Sequence, residues 1–403
     1  MDQMRRVKTA LLLRDPEASL ADVIATDRSA FSGLRVLFAS DVAGVTLEQL
    51  FEAPAESIPV APLFCGKGLL AFSDQIAQQM LSGQAPLFYG SRTLLDTNFL
   101  SELPRFYECK EYPGRERIEE ILGFIDVRME RTVEWTFACL ENLREAVKPN
   151  NPWPWRKVAA ARFFCEEPAA FVTQGGDPSR LEKYLSEADE MWRTWLGSPR
   201  IWQILDRRDF VYAIVLKSML ECWAGSSVSK GLGHLVDYCL SEFGLLPLKE
   251  LYFGWKALSG FENEAQRLPI FNEKALTAPG KHSLGRVSAV AWDLFLFRWC
   301  ESLMTQMHGN SFYLPTVTTL DAGLLDAIRS CPLRAVIIHD EAEMVETLFD
   351  DELAFQEALN ASLSQATLRK INDPERQLKM RSVPRHALST AIRELETALG
   401  KLF

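Results

Sequence analysis

The sequence predicts a helix-rich α/β protein whose parallel-sheet core is interrupted by a large helical insertion. Three observations predict it. Strand signals are few, and the better ones, RTLLD (92–96), SFYLPTVTT (311–319) and LRAVIIHD (333–340), each end in an acid or are closely followed by one. The last two lie on either side of a short helical stretch, DAGLLDAIRS. Strand, acid, helix, strand is the order of a parallel α/β unit, whose sites form at the strand carboxyl ends. Most of the remaining chain repeats its apolar residues at three and four, the helical period.

Hydrophobic residues are 47% of the 403 and charged residues 24%, enough apolar side chains for an extensive core in two or three domains. The formal net charge of −10 argues against a protein that holds nucleic acid by a global basic field; a local basic groove stays compatible with it. The eight cysteines include no Cys-x-x-Cys pair, and surroundings such as FAC, RFFC and FRWC suit buried or half-buried free thiols in a reducing cytoplasm. The basic start MDQMRRVKTALLLRD has too short an apolar run for a signal peptide. The most apolar segment, FVYAIVLKSMLECWAG (210–225), carries Lys217 and Glu221 and is too short to span a bilayer. A cytoplasmic protein without membrane association is therefore expected.

In order along the chain, residues 1–90 form an N-terminal extension. It mixes the short apolar runs LRVLFASDVAG and APLFCGKGLLAF with a helix over DQIAQQMLSG that stops at Gly83. FCGKG lacks the spacing and the Gly-Lys-Ser/Thr ending that phosphate cradling requires. The strand RTLLD opens the first part of the core, 91–108. Residues 109–245 are the helical insertion, beginning with one long pattern over 111–147. KPNNPWPW (148–155) ends that pattern, because its prolines cannot continue a helix. Helices follow over 156–171, 179–196 and 199 to about 224, then a small-residue break at GSSVSKGLG (225–233). The pattern is helical again from 231 to about 268, and the second part of the core occupies 246–345. The tail from 341, counted as a domain over 346–403, reads as two or three surface helices.

Four acids stand out by context. Asp96 ends its strand and is followed by Thr97 and Asn98; Asp321 closes FYLPTVTTLD two residues after Thr319. Asp293 lies in the strongly apolar helical stretch SAVAWDLFLFRW, where a buried carboxylate calls for a partner, commonly a cation. Glu250, in PLKELYFGWKALSG, again precedes aromatic and apolar residues. Together they can converge on one hard divalent cation, Mg²⁺ or Mn²⁺, which favours oxygen ligands. Each also has a plainer reading: helix N-caps for Asp96 and Asp321, an ion pair with Arg298 or Arg286 for Asp293, a solvated helix position for Glu250. Among the five histidines, His339 beside Asp340 falls at a strand end. Arg156, Lys157, Arg162, Arg207 and Arg208 can contact phosphates or form a solvated face, and most tryptophans, WPW at 153–155 included, suit helix-core anchors or base-stacking surfaces.

TLLDTNFL resembles the first motif of PIN-domain nucleases, a buried strand ending in Asp-Thr-Asn or a close variant. EL-x-x-G at 250–254 resembles the family's helical Glu motif, AWDLFLFRW its third-acid helix, and TVTTLDAGLL its strand ending in Thr-x-Asp. AVIIHD falls where the family's last sheet strand would be. The resemblance covers about 120 of 403 residues, in blocks 91–108 and about 246–345. It implies a PIN-like sheet and a Mg²⁺- or Mn²⁺-dependent nuclease, cutting RNA before DNA. It also implies Asp96, Glu250, Asp293 and Asp321 as metal ligands, with Glu242, Glu262 and Glu264 as alternatives to Glu250, supported by Thr97, Asn98 and Thr319. A toxin or defence effector with an inhibitory or activating protein partner fits that likeness. The alternative is a non-catalytic scaffold or interaction protein on a degenerate PIN-like fold.

Overall fold

The computed structural model describes residues 2–15, 18–41, 45–46, 58–81, 88–109, 111–126, 133–148, 150–173, 177–306, 311–373, 383 and 385–402. The fold is mixed α/β and helix-rich, and the chain divides into two compact units, residues 1–198 with 299–350 and residues 199–298 with 351–403.

The described strands all belong to the first unit: β1 (Arg35–Ser40), β2 (Val45–Thr46), β3 (Val60–Pro62), β4 (Gly68–Phe72), β5 (Phe88–Leu95), β6 (Val133–Glu134), β7 (Ser311–Thr318), β8 (Leu333–His339) and β9 (Met344–Phe349). Five pair antiparallel in the order β2-β4-β1-β8-β9. The other four follow β3-β7-β5-β6, with β5 parallel to β7 and β6, and β3 antiparallel to β7. Residues 1–90, read as an extension, thus supply four strands. β1 is buried along its whole length because the helices Asp2–Leu12, Leu20–Thr26 and Arg28–Phe31 cover it: Met4, Val7, Val23 and Phe31 pack with Val36, Phe38 and Ile337. Its one charge, Arg35, is held by Asp340 through two hydrogen bonds of 2.6 and 2.7 Å, as a buried guanidinium requires.

Three expectations are corrected here. β7, the helix Ala322–Ser330 and β8 do not make a parallel unit, since β8 lies antiparallel between β1 and β9 in the other sheet. The turn over 340–343 makes β8 and β9 a local hairpin, which closes at less entropic cost than a crossover. For the same reason the tail begins with a strand before its helices. The continuous helix expected over 111–147 is two helices, Arg115–Asp126 and Thr136–Ala146, with β6 between them. Val133 and Glu134 pair with Thr93 and Leu94, and that pairing outweighs helical continuity.

The proline-rich break stands as read, although the next helix already starts at Trp153, with Pro154 in the first turn where its missing N–H costs nothing. The helices Thr97–Glu108, Trp153–Glu166, Pro168–Thr173 and Pro178–Leu196 share an aromatic core. Phe163 meets Tyr107 edge-on and stacks on Tyr184, both at 5.1 Å, and packs edge-on against Phe171 at 5.5 Å. The second unit is helical: Pro199–Trp223, Val228–Tyr238, Leu248–Glu262, Ser283–Met304 as far as Arg298, Glu352–Ser362, Gln365–Ile371 and Arg385–Gly400. All eight cysteines are free thiols, and Cys109 alone is exposed. Among the described residues, no helix is long and apolar enough to cross a membrane.

Candidate acid site at the strand ends

β5 and β7 run parallel and in register from Phe88↔Ser311 to Leu95↔Thr318, so they end side by side. The pairing continues one residue further: the Asp96 N–H donates to the Thr318 carbonyl at 3.0 Å. Alternation along a strand then puts Asp96 and Thr319 on one face, above the fully buried Leu94 and Val317. Both strands turn straight into helices, and both acids cap them. Asp96 accepts from the Asn98 N–H at 3.4 Å, at the start of Thr97–Glu108, and Asp321 accepts from the Leu324 N–H at 3.1 Å, at the start of Ala322–Ser330. The plainer reading of these two acids is therefore realised.

Capping does not account for everything there. The Thr319 hydroxyl, fully buried, donates to Asp96 Oδ2 at 2.8 Å and accepts from the Asp321 N–H at 3.0 Å, so one side chain ties both acids together. Asp96 is 5% exposed. Burial pushes its carboxyl above the usual range and the charge of Asp321 adds to this, while hydrogen bonds from Thr319 and from the Thr97 and Asn98 N–H groups act the other way.

A further carboxylate bonds to Thr97, the residue after Asp96, and comes from a helix that carries none of the motifs. The Thr97 hydroxyl donates to Glu141, on the helix Thr136–Ala146 that follows β6. A continuous helix over 111–147 gave Glu141 no special position; the signal was the VEW step at 133–135, where the chain re-enters the sheet. Glu134 ends β6, accepts from the Thr136 N–H at 2.9 Å and lies 3.9 Å from Arg92. Asn98 itself is exposed.

Glu250 and Asp293 belong to the second unit. Glu250 is buried and gripped by Arg298 at two points, 2.9 and 3.1 Å, so its charge is already met. Asp293 is half-buried on Ser283–Met304, and Arg286 of the same helix pairs with Glu273. His339 is half-buried at the end of β8, in the antiparallel sheet; its Nδ1 finds no hydrogen-bond partner among the described residues. His308 lies outside the described residues. Of the basic residues, Arg156 pairs with Glu108 at 2.8 Å, Lys157 donates to Asn142 at 2.8 Å, Arg162 pairs with Glu187, and buried Arg208 binds Asp209 and the Ser288 carbonyl. Arg207 is exposed. Among the described residues, no group of three or more His, Cys, Asp or Glu side chains is arranged to hold a metal ion.

Comparison with protein-family models, with curated proteins and with solved structures returned no match for this chain.

Proposed function

We propose that the protein is a metal-dependent nuclease of the PIN-like type, an endoribonuclease, with Asp96 and Asp321 as the carboxylates that hold Mg²⁺ or Mn²⁺. The observation that carries this reading is the pair of acids at the ends of adjacent parallel strands, joined by one buried threonine hydroxyl. The parallel run β7-β5-β6 supports the PIN-like part of it; antiparallel β3 and the removal of β8 to the other sheet depart from it. Glu141, which accepts from the Thr97 hydroxyl, is a further acid tied to the residue after Asp96. Glu250 and Asp293 remain part of the proposal only as the sequence motifs put them there.

The donor set suits a hard cation, because carboxylate oxygens are its preferred ligands and a buried carboxylate with a raised pKa gains when a positive charge meets it. The cation would supply water activation and neutralise charge building on the phosphate. The chain's own residues do the rest. Thr319 fixes the rotamer of Asp96, the two caps fix the backbone on which both acids stand, and Asp321 keeps Oδ2 clear of its capping bond through Oδ1. The toxin or defence role and its protein partner belong to the same proposal.

Arg298's two-point grip on Glu250 favours a second reading, a non-catalytic scaffold on this fold. One experiment separates them: RNA and DNA cleavage with Mn²⁺ by wild type and Asp96→Asn. Cleavage of RNA by wild type, reduced to background in the variant, is expected. Equal activity in both would overturn the assignment, and no cleavage by either would favour the scaffold.

A further inference from the structure

The break between the helices Thr136–Ala146 and Trp153–Glu166 leaves two large apolar side chains unusually open, Val147 at 57% and Trp153 at 49% exposure. Beside them is a shallow groove lined by Lys148, Asn150, Asn151, Trp155 and Arg156, with Pro152 and Leu185 as its apolar wall. The guanidinium of Arg156 stands 5.5 Å over the Trp153 ring. Lys148 is held by Glu145 at 2.6 Å and Arg156 by Glu108 at 2.8 Å, acids that lie outside the lining. The Lys148–Glu145 pair, 60% and 46% exposed, contributes little to stability, so a phosphate can take over Lys148, while Arg156 has guanidinium N–H groups beyond the one that meets Glu108. Asn150 is exposed and held at φ +61°, a conformation asparagine tolerates, with its carboxamide able to donate and accept.

At 49% exposure, Trp153 keeps part of its indole open for stacking. Flat π-faces for stacking, two cations for phosphate and a carboxamide for base edges are the parts of a single-strand nucleic-acid groove. The groove is connected to Glu141 through the two helices that flank it. Trp153–Glu166 carries Lys157, which donates to Asn142, the neighbour of Glu141. From Glu141 to Val147 is about 9 Å of helix at ~1.5 Å per residue, the rise of roughly three stacked nucleotides at ~3.4 Å each.

We infer that this groove binds single-stranded RNA, setting phosphates against Lys148 and Arg156 of its lining and stacking a base on Trp153, which stands outside the lining beside Arg156. The choice of RNA rests on the nuclease reading; the groove itself does not.

The test is fluorescence anisotropy with a fluorescein-labelled single-stranded oligouridine in EDTA, where no metal-dependent cleavage can occur. Wild type should bind with an affinity that falls as salt rises, and double-stranded RNA should compete poorly because its bases are already stacked. Trp153→Ala should weaken binding by roughly tenfold or more, Trp153→Phe should restore most of it, and Lys148→Ala should reduce the salt slope by about 0.7. Trp153 is exposed, so circular dichroism of the alanine variant should match wild type. Binding unchanged in Trp153→Ala, or equal competition by inorganic polyphosphate, would overturn the groove. If wild type and Asp96→Asn both bind the oligonucleotide and neither cuts it with Mn²⁺, the groove stands and the nuclease reading falls. If wild type cuts RNA while Trp153→Ala binds and cuts as wild type does, the reverse holds.

Discussion

Asp96 serves two purposes that pull its charge in opposite directions. As an N-cap it is best ionised; as a 5%-exposed carboxylate next to Asp321 it is pushed towards the protonated form. Its net direction is upward, and the sign of the consequence follows. A carboxyl whose folded pKa exceeds its unfolded value, about 3.9, binds its proton more tightly in the folded state. The fold therefore loses stability as pH rises from below that unfolded value through the folded one, and levels off above it. Asp96→Asn keeps the shape and the capping oxygen and removes the charge. Its Tm is expected to exceed that of wild type at pH 7 in EDTA, with the difference vanishing below about pH 4. Under the proposed function, Mn²⁺ should raise the Tm of wild type and leave that of the variant unmoved. A variant that melts lower than wild type at both pH values would show that the Thr319 and cap bonds weaken, when their acceptor is an amide oxygen, by more than the relief of burial. The sequence made Asp96 and Asp321 legible because each ends an apolar strand before a helix. Thr319's part was half legible as Thr-x-Asp, and Glu141's depended on a helix break that two β-sheet residues decide.

At the scale of elements, strand and helix positions followed from local pattern, and pairing did not. LRAVIIHD reads as a buried strand whichever sheet receives it; the choice of β1 and β9 as partners depends on what else in the chain offers an apolar edge. FCGKG shows the same thing on a smaller scale. Its glycine serves the turn into β4: Gly66 has φ +82°, and a Cβ there would stand 2.8 Å from the Ser40 carbonyl oxygen, where the Lys67 N–H already bonds at 2.9 Å. Gly66→Ala is therefore expected to destabilise the first unit by at least about 1–2 kcal/mol, measured by urea unfolding. Gly123→Ala is the matched control: that glycine lies inside Arg115–Asp126 with open space where a Cβ would go, and alanine should stabilise by about 0.5–1 kcal/mol. Equal effects at the two sites would mean that backbone conformation is not what Gly66 provides.

Across the whole molecule, the charge of −10 sets a limit on how the chain meets nucleic acid. A duplex held only by its phosphates needs a broad cationic face, and most of the basic residues singled out in the sequence are committed to acids or carbonyls. Duplex DNA is accordingly expected to migrate unretarded with the protein at about 150 mM salt. Retardation there would reveal a basic surface other than the groove at Trp153. Composition, helical period and the proline break were determined by the sequence alone, because each reports on a few neighbouring residues. So was the placing of Asp96 and Asp321 at strand ends. The tertiary structure decided the division into two units, the removal of β8 to an antiparallel sheet, the ion pair that occupies Glu250 and the meeting of Asp96, Thr319 and Asp321. These are contacts between residues tens to hundreds of positions apart. Their formation depends on competition among many apolar surfaces for the same partners, which no local window of sequence contains.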